Sequence, residues 1–271
     1  MKKFYHLTYS GPIVMSLALL VSCNQNASKN DASQDETDST QQVNSDDIAR
    51  HNVLTPQEES QGWVLLWDGE TSEGWRSARS EEFPEDGWYM QNGTLVVPST
   101  GGGESEAAGD IITVKKYKDF ELKVDFRIMD GDANSGIKYY VDPSINTGPG
   151  SSIGLEYQIL GDQHPQYEEG SQAGSFKMAS LYDLIAADPI PVNPVGEWNT
   201  ARIVSKDNHV EHWLNGVKVL EFERGSEAFR ELVSQSKYDQ WENFGELETG
   251  HILLQDHGDH VAFRNIKIKE L

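Results

Sequence analysis

Apolar and polar positions alternate with a period of two from Lys118 to Met129. Phe120, Leu122, Val124, Phe126 and Ile128 fall on one face, and Glu121, Lys123, Asp125 and Arg127 on the other. This pattern predicts a long antiparallel strand with one face in a core. Gly136–Val141 and Ile153–Leu160 extend the sheet by the same logic. Asn92-Gly93 sits between strand formers in Trp88–Val97, and Asn215-Gly216 separates Val210–Leu214 from Val217–Phe222. Both pairs predict tight hairpins, because Asn-Gly accepts two consecutive positive φ angles. Asp207-Asn208 predicts a further hairpin after Trp198–Ser205. Near the end, His251–Gln255 and Val261–Ile268 read as two strands joined by the polar loop His257-Gly258-Asp259-His260. The apolar set shifts from odd (Val261, Phe263) to even (Ile266, Ile268), which predicts a β-bulge at Arg264-Asn265. Ser226–Ser236 is the one helical stretch, with Ser226 as N-cap and Phe229, Leu232 and Val233 at helical spacing. The fold expected is all-β, a jelly-roll β-sandwich with one concave sheet and one short helix.

The first residues carry a different pattern. Lys2 and Lys3 precede an apolar run, Pro12–Val21, too short to span a bilayer. Leu20-Val21-Ser22-Cys23 resembles a bacterial lipobox, with Cys23 as the lipidated residue. Residues 1–22 are therefore expected to be a lipoprotein signal peptide. Residues 23–53, rich in Asn, Gln, Ser and Asp, are expected to be a disordered tether, and residues 54–271 the folded domain. The protein would be a membrane-anchored lipoprotein facing the periplasm or the cell exterior. Cys23 is the only cysteine, so disulfide, thiolate and zinc–thiolate chemistry is excluded from the folded part. Net charge is −22; residues 1–22 hold Lys2, Lys3 and no acid, so their removal leaves −24. Such acidity disfavours nucleic acid, and no EF-hand calcium loop is present.

Candidate chemistry concentrates on two strands and one loop. In Ile153–Ile159 the apolar residues are odd, leaving Glu156 and Gln158 on the other face. In Gly136–Val141 the same reasoning leaves Lys138 and Tyr140 together. If these strands pair, the four line one polar surface, with Asn134 at its rim. His257 lies beside Asp256, which would fix its tautomer. His257, Asp259 and His260 are candidate ligands for a divalent metal ion. Seven tryptophans and ten tyrosines suit a carbohydrate partner, although Trp63, Trp67, Trp75 and Trp198 are expected in the core.

A set of short stretches runs in order through the domain: Gly62-Trp63 and Leu66-Trp67-Asp68-Gly69; Asn134-Ser135-Gly136-Ile137; Gly154-Leu155-Glu156-Tyr157-Gln158; Leu181-Tyr182-Asp183; Gly196-Glu197-Trp198-Asn199; His212-Trp213-Leu214-Asn215-Gly216; and Leu254-Gln255-Asp256-His257-Gly258 with Phe263-Arg264-Asn265-Ile266. Together they resemble the 3-keto-disaccharide hydrolase domain family of Bacteroidetes lipoproteins, from about Gly62 to Leu271. The resemblance implies a concanavalin A-like jelly-roll that acts on 3-keto-glycosides, by hydrolysis or by 1,2-elimination and hydration. The chain departs from the family at Lys138, where arginine is common. A 3-keto group acidifies the C2 proton, so the reaction needs a base at C2, donors at the ketone oxygen and an acid at the leaving oxygen. On this reading His257, oriented by Asp256, and Glu156 are the acid–base groups, and Lys138, Asn134 or Arg264 stabilises the enolate. Gln158, Tyr140, Tyr182, Trp213 and Gln255 position the sugar. A two-carboxylate glycosidase and a non-catalytic carbohydrate-binding module are the competing readings.

Overall fold

In a computed structural model, the structure describes residues 51–101, 103, 109–146, 150–167 and 176–271. Cys23, the signal peptide and most of the tether lie outside the described residues. Among the described residues, thirteen strands form two antiparallel sheets. The large sheet runs β11 (Val217–Glu223), β10 (His209–Leu214), β9 (Asn199–Lys206), β6 (Phe120–Ile128), β13 (Val261–Glu270), β4 (Thr94–Val97) and β3 (Tyr89–Gln91), with β1 (Val64–Leu65) paired to β13. The small sheet runs β2 (Trp75–Ser77), β5 (Ile111–Thr113), β12 (His251–Leu254), β7 (Asn134–Val141) and β8 (Leu155–Leu160). This is an all-β sandwich of jelly-roll type.

The alternation in β6 is realised in full. Phe120, Leu122, Val124, Phe126 and Ile128 join Ile137, Tyr139, Tyr157, Ile159 and Leu254 of the small sheet in one buried cluster. Each such side chain contributes roughly 1.5–3 kcal/mol by leaving water. Asn92-Gly93 and Asn215-Gly216 take positive φ at both residues, as their hairpins require. Asn265 has φ +50 and the β13–β6 register shifts between Arg264 and Lys267, which is the bulge expected there.

Four expectations are corrected. β12 and β13 do not pair: β12 lies between β5 and β7, and β13 between β6 and β4. Residues 255–260 therefore cross from one sheet to the other. The folded part begins before residue 54, because Asn52 and Asn265 exchange backbone-to-side-chain hydrogen bonds of 2.7 and 2.8 Å. Besides helix α2 (Glu227–Ser234), there is a short α1 (Pro56–Ser60), started by a reciprocal Thr55–Glu58 cap. Finally, Trp67 and Trp75 belong to the core cluster, whereas Trp198 is only half-buried. It lies under the guanidinium groups of Arg127 and Arg264.

Candidate active site

The polar surface expected from β7 and β8 forms on the face of the small sheet turned away from the core. The two strands pair with Gly136 opposite Gln158 and Lys138 opposite Glu156. On the other side of β7, Leu253 sits opposite Lys138, and the Gln255 N–H donates to the Gly136 carbonyl at 3.0 Å. Asn134, Lys138, Glu156, Gln158 and Gln255 therefore surround Gly136, and all five are buried. A Cβ at Gly136 would collide with Glu156 Oε1 and come within 3.1 Å of its Cδ. The glutamate thus folds over a bare stretch of backbone, which only glycine leaves open.

Glu156 Oε2 lies 3.5 Å from Lys138 Nζ. Lys138 also donates to Ser151 Oγ at 2.5 Å, and Ser151 in turn donates to Asp110. Asp110 further accepts from the Asp256 N–H at 3.0 Å and the Ser152 N–H at 3.3 Å. Burial pushes the Asp110 carboxyl above the ordinary carboxylate range, and the Lys138 ammonium offsets part of that rise. The result is a buried carboxylate–ammonium–carboxylate arrangement, in which charge is worth more than in water.

The Gln158 amide donates to Asn134 Oδ1 at 3.3 Å. Its own Oε1 is sealed from solvent with no donor among the described residues. The Asp256 carboxylate accepts from the N–H groups of Gly109 and Gly258 at 3.0 and 2.9 Å, closing the loop. The Asp259 carboxylate lies 3.9 Å from His257 Nδ1. Asp259 also accepts from the Asn134 N–H at 3.0 Å, and burial raises its pKa. Through Asp259, His257 lies near the Asn134 end of the platform.

Other candidates are placed elsewhere. Two β7 residues, Tyr139 and Tyr140, face the single residue Ile252 at a register shift. With Tyr140 at φ +53, this bulge turns its ring into the core, where the hydroxyl meets Ser205 Oγ at 2.7 Å. Trp213 and Arg264 lie on the outer face of the large sheet. Trp213 donates to Glu211 at 2.8 Å under Arg202, and Arg264 is 3.8 Å from Asp125. His260 lines a cavity on that same face with Arg264. Among the described residues, His257, Asp259 and His260 do not converge as ligands; the acid–imidazole group that does is His209, Glu211 and Glu221, and Lys218 already sits against both glutamates. Tyr182 is stacked on Phe176, 4.7 Å between ring centres, with Lys237 Nζ 4.3 Å from its own ring centre.

A cleft of about 330 Å³ opens beside the platform, lined by Lys138, Ser151, Ser152, Lys237, Tyr238 and Trp241. A neighbouring cavity of about 420 Å³ shares Ile153, Gly154 and Trp241 with it. Sequence reasoning passed over Asp110, Ser151 and Trp241. Asp110 had one signal, a carboxylate placed between a Gly-rich loop and the apolar strand Ile111-Ile112.

With this geometry in view, the comparisons with known proteins are informative. The family described as the 3-keto-alpha-glucoside-1,2-lyase-like domain matches residues 62–269. A 3-keto-disaccharide hydrolase of Bacteroides thetaiotaomicron is 32% identical over 297 aligned positions, covering 100% of both chains. Two crystal structures from Parabacteroides distasonis, both of candidate glycosyl hydrolases, share the fold. One has a TM-score of 0.70 at 33% identity, covering 82% of this chain and 99% of its own. The other has a TM-score of 0.58 at 27% identity, covering 77% and 99%.

Proposed function

The chain belongs to the 3-keto-alpha-glucoside-1,2-lyase-like domain family, and from that premise we propose that it cleaves the glycosidic bond of 3-keto-glycosides by C2-proton abstraction and 1,2-elimination. The observation that carries this reading is Glu156, folded over Gly136 and paired with Lys138 on a buried polar platform. Glu156, as carboxylate, removes the C2 proton. The electron pair passes to the ketone oxygen, and the Lys138 ammonium stabilises the enolate, aided by Asn134. The enolate then re-forms the ketone, expels the C1 oxygen and leaves a C1–C2 double bond. His257 supplies the proton that the leaving oxygen takes up. Addition of water across the double bond gives the free 3-keto sugar, so the net reaction is hydrolysis. Gln158 and Gln255 hold the sugar hydroxyls, and the cavity beyond Trp241 receives the leaving group. Asp110 and Ser151 position Lys138. In this reading Cys23 carries the lipid that keeps the domain outside the cytoplasm.

The test uses the full-length chain with a 3-keto-glucoside and its unoxidised parent, followed by NMR in deuterated water. The expected result is turnover of the ketone alone, with deuterium at C2 of the product. Glu156→Gln should lower turnover by roughly 10²–10⁴-fold, the usual worth of a positioned base. Turnover of the parent glycoside, or near-normal turnover by Glu156→Gln, would overturn the proposal.

A further inference from the structure

The outer face of the large sheet, on the opposite side of the sandwich from Glu156, carries a cavity of about 420 Å³. Its walls include Arg127, Arg264, Trp198, Tyr89, Gln91 and His260. The guanidinium carbons of Arg127 and Arg264 lie 4.6 and 3.9 Å from the Trp198 ring centre. Arg264 is balanced by Asp125. Arg127 has no carboxylate partner among the described residues, and its Nε is sealed from solvent with no acceptor. Burial alone acts on it, and pushes its pKa down.

We propose that this cavity is a second carbohydrate site, specific for a sugar that carries a carboxylate or a sulfate ester. The planar fork of Arg127 matches either group in a bidentate arrangement. Its stacking on Trp198 fixes the fork before the ligand arrives, so little side-chain entropy is lost on binding. Tyr89, 39% exposed, offers a ring face for the pyranose, and Gln91 an amide for its hydroxyls. The volume lies within the usual range for a small-ligand pocket, roughly 300–1,000 Å³. The site stands apart from the reaction at Glu156, so it can serve to hold an anionic glycan while another part of that glycan is processed.

The experiment titrates methyl glucuronide, methyl glucoside 6-sulfate and neutral methyl glucoside into the full-length chain by calorimetry. Binding of the uronide or the sulfate ester, weakened by salt and absent for the neutral sugar, is expected. Uronide binding alone assigns a carboxylate, and sulfate-ester binding alone assigns a sulfate. Arg127→Gln should weaken the bound anion at least tenfold, and Glu156→Gln should leave it unchanged. Arg127→Lys, which keeps the charge but not the planar group, should also lose most of the affinity because a point charge cannot make the fork. Failure of both anions to bind at millimolar concentration would overturn the proposal. So would full affinity in Arg127→Lys or Arg127→Gln, or loss of binding in Glu156→Gln instead.

Discussion

Replacing Gly136 by alanine tests the platform with a single methyl group. Gly136 does not need a positive φ, so alanine meets no backbone strain, and the smaller entropy of the unfolded chain favours folding by about 0.4–1 kcal/mol. Against this stands the clash: the new Cβ meets Glu156 Oε1 and lies 3.1 and 3.2 Å from its Cδ and Cγ. Ordinary contact would require the carboxylate to move by roughly 1 Å, and a displacement of that size costs on the order of 10²-fold in rate. The carboxylate is the far end of a flexible side chain, so it can swing while the sheet stays intact. In a domain of this size about 1 kcal/mol shifts Tm by roughly 2–4 °C, and Gly136→Ala should stay within that interval. Thermal melts and steady-state turnover of a 3-keto-glucoside are measured on the same preparation. A fall in kcat near a hundredfold with Tm almost unchanged is expected. Unchanged kcat would refute the placement of Glu156 over Gly136 as a requirement of the chemistry. A Tm loss beyond about 10 °C would refute the claim that the clash is absorbed locally.

Lys138→Met leaves Asp110 and Glu156 buried without their cation, a loss of about 3–5 kcal/mol; urea unfolding should register it, and the double change Lys138→Met/Glu156→Gln should recover a large part. Tyr140→Phe removes a hydroxyl bonded inside the core to Ser205, so stability should fall by about 1–3 kcal/mol while kcat and KM stay the same; a selective rise in KM would return Tyr140 to the substrate. His212 is fully buried, donates from Nδ1 to the Ala179 carbonyl at 3.0 Å and accepts from Tyr139 at 2.8 Å, and burial lowers its pKa to about 4. Above pH 6.5 both folded and unfolded chains hold that ring neutral. Below it the unfolded chain takes up a proton that the folded chain refuses until about pH 4, so stability falls across that window by roughly 3 kcal/mol. His251, also lowered by burial, adds to the same slope. Urea midpoints from pH 7 to 4 should follow it, and His212→Gln should flatten it.

The sheets were legible because period-two alternation and Asn-Gly pairs are local signals, and both act through residues a few positions apart. The shared polar face of β7 and β8 was legible from the same pattern, given that the two strands pair. What escaped was what depends on the partner strand. Tyr140 alternates correctly in sequence, yet a bulge opposite Ile252 adds a residue to β7 and turns the ring inward. The His251–Val261 stretch has the composition of a hairpin, but each strand finds more apolar surface in a different sheet. α1 was legible and passed over, since Thr55-Pro56-Gln57-Glu58 holds both the cap and the proline expected at a helix start.

The site divides along the same line. Glu156, Gln158, Lys138 and Asn134 share a face by alternation, so the sequence brings them together without help. Asp259 lies 125 positions from Asn134, Ser151 13 from Lys138 and Asp110 41 from Ser151, and only the closed sandwich sets them against the platform. Their work is to hold two buried carboxylates and one ammonium in place. That burden falls on backbone N–H groups and a serine hydroxyl, which carry no charge and leave no pattern in a one-dimensional reading. Arg264 and Trp213 mark the opposite error. Their motif neighbours are at the platform or in the core, but alternation within β13 and β10 sends these two side chains to the far face of the sandwich. A motif therefore locates a stretch of chain, while the pleat decides which side of the sheet each of its residues serves.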